Sequence, residues 1–161
     1  MKVRDVMTKQ TVCCSLDMSL AGTSELMQKN RCGFLPVIGE GGNVIGVITD
    51  RDVCVALGRR DQKASEMSVR DIMLPQDRTF PTLYVCTPED RIQSVLKTMR
   101  SQRIRRLPVV DREGALQGIV SIDDLVLRAC EKAGREGISC KEVVDTYKAI
   151  RRPCLNKPVA A

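Results

Sequence analysis

The sequence predicts a mixed α/β chain of the α+β kind, built from two copies of a strand-helix-strand-strand-helix unit and followed by a separate C-terminal helix. Three observations carry that prediction. Leu35-Pro36-Val37 leading to Gly46-Val47-Ile48-Thr49-Asp50-Arg51-Asp52 recurs 72 positions later as Leu107-Pro108-Val109 leading to Gly118-Ile119-Val120-Ser121-Ile122-Asp123-Asp124. The same offset pairs Cys14 with Cys86, Met27 with Met99, Arg31 with Arg103 and Gly42 with Gly114, so a whole unit is duplicated rather than one motif. Between these landmarks, stretches with apolar residues at helical spacing give way to short apolar runs bounded by turn residues, as expected when helices and strands alternate.

Each unit opens with a tag, Val3-Arg4-Asp5-Val6-Met7 and Val69-Arg70-Asp71-Ile72-Met73. The tags lie 66 apart, so the second unit holds six extra residues in the stretch 74–81, where Pro75 and Pro81 mark a loop able to reshape one pocket. A strand follows each tag, near Thr11-Val12 and near Leu83-Tyr84. Thr87-Pro88-Glu89-Asp90 then has the hydroxyl, proline and acidic residues of a helix start, and Ile92, Val95, Leu96 and Met99 follow at helical spacing. In the first unit Leu20, Thr23, Ser24 and Met27 form a weaker stripe behind Ser15-Leu16-Asp17; both stripes are expected in the core.

Two short apolar strands come next in each unit, at 35–38 and 44–48 and at 107–110 and 116–120, joined by polar glycine-containing turns. The second helix begins at Thr49 or Ser121; in the first unit it is expected to stop at Gly58. The units are thus placed at 1–58 and 69–128, with a polar linker at 59–68 and a helical extension at 129–161. In that extension Ser139 and Glu142 have capping-box spacing, Val143, Tyr147 and Ile150 make one apolar face, and Lys148, Arg151, Arg152 and Pro153 mark the end.

Composition narrows the function. No apolar run reaches the roughly 20 residues needed to span a bilayer, and Asp5 with no apolar stretch after Lys2 argues against a signal peptide, so no membrane association and a cytoplasmic location are expected. Eight cysteines without C-x-x-C spacing, in a chain with no histidine, give no common zinc site; most are expected as small buried apolar residues in a reducing compartment. No metal or catalytic cofactor is expected. With no phosphate-binding G-x-x-x-x-G-K and no nucleophile-base pair, neither is enzymatic activity. The net charge of +6 favours anionic partners, but two Phe, two Tyr and no Trp leave little on which single-stranded bases could stack.

Tag, helix, Leu-Pro-Val, turn and Gly-h-h-[Thr/Ser]-x-x-Asp, twice in order over about residues 2–128, resemble a tandem pair of CBS domains, often called a Bateman module. The resemblance implies two units packed through their sheets about a pseudo-twofold axis, with clefts between them that take adenosine-containing ligands such as AMP, ADP, ATP, NAD or S-adenosylmethionine. It also implies pairing of two modules into a homodimeric disc and action on a regulated partner protein, whose identity the residues do not give.

Residue chemistry suits such ligands. An ionised carboxylate can accept from both hydroxyls of a ribose, a role open to Asp52 and Asp124, while Thr49 and Ser121 stand at helix starts where hydroxyl and backbone N–H groups can meet ribose or phosphate oxygens. Leu35-Pro36 and Leu107-Pro108 are expected to form the flat apolar slot for adenine, with base or phosphate contacts from Thr11, Val12, Thr82, Tyr84 and Arg103. The second unit has Arg103-Ile104-Arg105-Arg106 before Leu107, where the first has Arg31-Cys32-Gly33-Phe34. The stronger nucleotide site is therefore expected at Ser121, Asp124, Arg105, Arg106, Leu107 and Pro108, and the weaker at Thr49, Asp52, Leu35, Pro36 and Arg31. Arginines disfavour a sulfonium, so phosphorylated ligands are preferred over S-adenosylmethionine.

Other readings stay open. Thr49-x-x-Asp52 and Ser121-x-x-Asp124 also have the spacing of a helix-capping box; their surroundings favour ribose binding for Asp124 and leave Asp52 evenly balanced. Residues 103 and 105 of a strand point opposite to 106, so the arginines cannot all face one ligand. A dimerisation module with vestigial pockets and nucleic-acid binding through the basic surface are the alternative functions.

Overall fold

The computed structural model describes residues 1–73, 82–129 and 137–152. The expected loop at 74–81, Cys130, Cys154 and Pro153 lie outside the described residues. In the first unit, β1 (Cys14–Ser15) pairs in parallel with β2 (Phe34–Ile38), which pairs antiparallel with β3 (Val44–Thr49). Between them run α1 (Leu20–Lys29) and, after β3, α2 (Asp50–Arg59). The second unit repeats the plan: α4 (Ile92–Gln102), the antiparallel pair β4 (Arg106–Val110) and β5 (Leu116–Ser121), and α5 (Ile122–Arg128). Its first strand is reduced to one parallel bridge, Cys86 to Val109. The registers match, Leu35 opposite Ile48 and Leu107 opposite Val120, with the same irregularity one residue before each strand end.

Both hairpins need their glycine. Gly42 and Gly114 sit at φ +79° and +85°, a left-handed conformation that costs other residues energy. Val44 N–H donates to Gly114 O at 2.9 Å and Asn43 bridges Ala115, so the two turns meet and the sheets adjoin there.

Each tag packs in the core of the opposite unit. The first tag forms a short 3-10 turn (Val3–Asp5), and Val3 and Val6 join Ile92, Leu96, Leu107 and Leu125 in the second core. The second tag forms α3 (Val69–Met73), and Val69 and Met73 join Leu20, Leu35 and Ile48 in the first. Thr8 and Ile119 exchange backbone hydrogen bonds at 2.9 and 3.0 Å. This crossover explains the repeated glycine that opens each Gly-h-h-[Thr/Ser] motif: a Cβ on Gly118 would collide with the Thr8 carbonyl, and one on Gly46 with the Met73 methyl.

The same crossover shortens a helix. Thr87 does not cap α4, which starts at Ile92 after Arg91. The carbonyls of Pro88 and Asp90 accept from Arg4 and Val3 N–H at 3.0 and 2.9 Å, and Thr87 N–H donates to Asp90 Oδ2 at 2.7 Å, so this segment serves the incoming tag as a turn. In the first unit Ser19 caps the helix, accepting from Gly22 N–H at 3.1 Å, and Ser24 is exposed while Leu20, Thr23 and Met27 are buried. Helix α2 runs through Gly58 to Arg59. The polar stretch after it docks rather than dangles: Met67 is buried, and its carbonyl accepts from Leu20 N–H at 2.8 Å.

The C-terminal helix α6 (Cys140–Arg151) has the expected Ser139/Glu142 capping box and lies on α4 and α5, with Val143 and Thr146 buried. Arg100 of α4 donates to Thr146 Oγ1 at 3.1 Å. Cysteine usage differs from expectation: of the free thiols among the described residues only Cys14 and Cys86 are buried, Cys13 and Cys54 are exposed, and Cys140 is disulfide-bonded. Burial pushes both the Cys14 and Cys86 thiols up to about 12.

Candidate functional site: two clefts between the units

Strand alternation decides what faces the clefts. Successive side chains leave opposite faces of a strand, so with Leu35, Val37, Leu107 and Val109 in the cores, Phe34 and Arg106 fall on the inter-unit side, as do Val47, Thr49, Ile119 and Ser121 on the partner strands. Two cavities result. One, of about 370 Å³, collects Thr49, Asp50 and Arg51 from the first unit and Thr82, Tyr84, Arg103, Arg105 and Pro108 from the second. The other, of about 270 Å³, collects Ser121 and Asp124 from the second unit and Thr11, Val12, Asn30 and Cys32 from the first. Phe34 and Arg106, equivalent positions in the repeat, line both and form the shared wall.

Each cavity thus combines the helix start of one unit with the post-tag segment and pre-strand residues of the other. That corrects the expected groupings. Arg105 and Pro108 face the Thr49 cavity, while Ser121 and Asp124 face the smaller one; of the expected cations only Arg106 reaches both. Arg106 also stands 3.8 Å from Asp123. Thr82, Tyr84 and Arg103 line the Thr49 cavity, and Thr11 and Val12 the Ser121 cavity.

Five expected residues line neither cavity. Leu35 and Leu107 are fully buried core residues, because the alternation that exposes 34 and 106 turns them inward. Pro36 is buried and lines neither cavity. Arg31 adopts φ +50° at the end of α1 and is exposed, with its neighbours Asn30 and Cys32 lining the Ser121 cavity instead. Asp52 also lines neither cavity, although its twin Asp124 does.

Both carboxylates make the capping box. Asp52 Oδ2 accepts from Thr49 N–H at 2.8 Å and from its hydroxyl at 2.6 Å; Asp124 Oδ2 accepts from Ser121 N–H and hydroxyl at the same distances. The residues before them differ. Ile122 is buried in the second core, while the equivalent Asp50 is exposed and lies over Gly33, where an added Cβ would stand 2.9 Å from Asp50 Cγ. Asp50 thereby takes the cavity position in the first unit, and Arg105 replaces Gly33 in the second. In both units the cap engages Oδ2.

Sequence reasoning missed Phe34, Val47, Ile104 and Ile119 as apolar walls, though strand period would have found Phe34, Val47 and Ile119 once Leu35 and Leu107 were assigned to the core. Gln10, Asn30 and Asp50 were also missed, as were Ile150 and Arg151, which line the Thr49 cavity from α6 and carry no local signal for it.

The CBS domain family profile matches residues 3–59 and 69–130, and the chain belongs to that family as a tandem pair. It is 30% identical over 126 residues to the CBS domain-containing protein YhcV of Bacillus subtilis, covering 78% of this chain and 83% of that one. It is 28% identical over 149 residues to the uncharacterized protein MJ0188 of Methanocaldococcus jannaschii, covering 92% of this chain, and spans 51% of that relative's length. It is 24% identical to the gamma subunit of the yeast 5'-AMP-activated protein kinase over 70% of this chain and 35% of the subunit.

Among solved structures the CBS protein TA0289 of Thermoplasma acidophilum superposes with a TM-score of 0.73 at 20% identity, covering 94% of this chain and 77% of that one. The CBS domain pair of MJ0100, in complex with 5-methylthioadenosine and S-adenosyl-L-methionine, superposes at 0.66 with 22% identity over 79% of this chain and 94% of that one. No helix among the described residues is long and apolar enough to cross a membrane.

Proposed function

We propose that this CBS pair is a regulatory module that binds adenine nucleotides in its two inter-unit clefts and acts on a partner protein. The observation that carries the reading is the Ser121 cavity: a hydroxyl and a carboxylate three residues apart stand opposite Thr11 and Val12, with Phe34 and Ile119 as apolar walls. Asp124 Oδ1 accepts from the ribose hydroxyls, the backbone at Thr11-Val12 meets the base edge, and Arg106 is the one arginine for phosphate. The neighbouring cavity repeats the scheme with Thr49, Thr82, Tyr84 and Pro108, and there Arg103 and Arg105 add charge for phosphate. Its volume lies within the range of small-molecule sites, which begins at about 300 Å³. The bound adenosine compounds of the MJ0100 pair and the kinase gamma-subunit relative point to the same ligand class.

Because each cavity takes walls from both units, a ligand stabilises the unit arrangement that fits it, and that shift is the signal delivered to a partner. The route outward is a homodimer: Val55 on α2 and Leu127 on α5, equivalent in the repeat, are 44% and 74% exposed, apolar surface that a second copy covers.

Calorimetric titration with AMP, ADP, ATP, NAD and S-adenosylmethionine tests the reading. The phosphorylated ligands bind and S-adenosylmethionine binds less tightly; a protein that ignores all of them contradicts it.

A further inference from the structure

We infer that the C-terminal helix α6, which lies beyond the residues matched by the family, completes the Thr49 cavity as a binding element for a nucleoside di- or triphosphate, with Arg151 as a phosphate contact and Ile150 as part of the apolar wall. The inference rests on the nucleotide reading above and assigns that cavity its ligand class.

Ile150 and Arg151 occupy the last turn of α6 and both line the cavity. Ile150 packs with Tyr84 and Ile104 against the second core, and all three border the cavity, so the apolar slot is built jointly by the post-tag segment, the pre-strand segment and α6. The helix is held in place upstream: Val143 and Thr146 are buried, and Arg100 of α4 donates to Thr146 Oγ1 at 3.1 Å. A rigid helix thereby fixes where Arg151 begins.

Charge selects the ligand. Among the described residues Arg51, Arg103, Arg105, Arg106 and Arg151 line this cavity with one carboxylate, Asp50, and Arg106 also stands 3.8 Å from Asp123. Like charges gathered in a cleft repel one another and draw in a matching polyanion, and a di- or triphosphate reaches more of these guanidiniums than a monophosphate does. The Ser121 cavity, with Arg106 as its one lining arginine among the described residues, has no such preference. In the structure Arg151 stacks over the Tyr147 ring at 5.5 Å to its centroid, at the negative end of the helix dipole, a resting position on the cavity rim that phosphate competes with.

The test compares Arg151→Ala, Arg151→Lys and Lys148→Ala, the last removing a charge from the same helix outside the cavity, by calorimetry with ATP, ADP and AMP. Loss of one charge-assisted contact weakens ATP on the order of tenfold in Arg151→Ala, with partial recovery in Arg151→Lys and little change in Lys148→Ala. AMP affinity changes less than ATP affinity. In parallel, ATP slows amide hydrogen exchange in the last turn of α6 in the wild type and not in Arg151→Ala. If wild type binds ATP and Arg151→Ala binds it equally well, without altered exchange in α6, the helix has no part in the site and the inference falls while the nucleotide reading stands. If wild type binds no nucleotide, both fall.

Discussion

The Thr49 and Ser121 cavities occupy equivalent places in a duplicated fold and present different chemistry. The larger one has arginines from both units and from α6 around a threonine; the smaller has a serine and a carboxylate, with polar uncharged neighbours Thr8, Gln10, Thr11 and Asn30. The difference arises from few substitutions at equivalent positions: Gly33 against Arg105, Arg51 against Asp123, and Asp50 against Ile122. The backbone and the caps repeat, and a handful of side chains set the two cavities apart.

The largest expected effect tests how the units interlock. Gly118→Ala places a methyl against the Thr8 carbonyl, which is backbone and cannot swing away, whereas Gly46→Ala meets the flexible end of Met73. Overpacking of this kind costs about 1–3 kcal/mol. Urea unfolding should show Gly118→Ala near the upper end and Gly46→Ala near the lower; equal losses would mean that the tags do not dock as described.

Next come the two caps. Asp52→Ala and Asp124→Ala each remove a capping carboxylate and should cost about 1 kcal/mol, equally in both units. Only Asp124→Ala should also weaken a nucleoside or monophosphate in calorimetry, because only Asp124 lines a cavity. An equal loss of binding in Asp52→Ala would overturn that distinction.

A smaller effect separates two arginines with the same backbone. Arg31 and Arg103 have φ +50° and +55°, where glycine is preferred. Thermal unfolding of Arg31→Gly should reveal a gain of about 0.5–1 kcal/mol with nucleotide affinity unchanged. Arg103→Gly should weaken ATP instead, since Arg103 borders the Thr49 cavity.

At Cys14 and Cys86 the units should not differ at all. Both thiols are raised from 9.0 to about 12, chiefly by burial, so the folded state favours the neutral thiol. The contribution is intact below pH 9 and is lost as pH rises through 9 toward 12, where the unfolded chain ionises first. Cys14→Ala and Cys86→Ala should each flatten the alkaline limb of a stability–pH curve to the same degree, and alkylation at pH 8 should label Cys13 and Cys54 before either.

The repeat, the hairpins, both second-helix caps and α6 were legible because each rests on short-range chemistry: glycine turns, capping boxes, apolar spacing. What escaped was long-range. Nothing local in Thr87-Pro88-Glu89-Asp90 reveals that its carbonyls receive Val3 and Arg4, and nothing in the 103–106 arginine run says that its strand crosses to the Thr49 side of the interface. The site residues were mostly identified by type, but grouping them along one unit of sequence joined Arg105 to Asp124, when each cavity draws on both units. Leu35 and Leu107 were drawn into the site by their motif, although period-two alternation places them in the core.

The unequal division of charge between the cavities is tested most directly by the ATP-to-AMP affinity ratio in Arg105→Ala and Asp124→Ala, measured by calorimetry against wild type. The ratio is expected to fall on the order of tenfold in Arg105→Ala and to stay nearly unchanged in Asp124→Ala. A ratio that falls in Asp124→Ala and holds in Arg105→Ala would contradict that division.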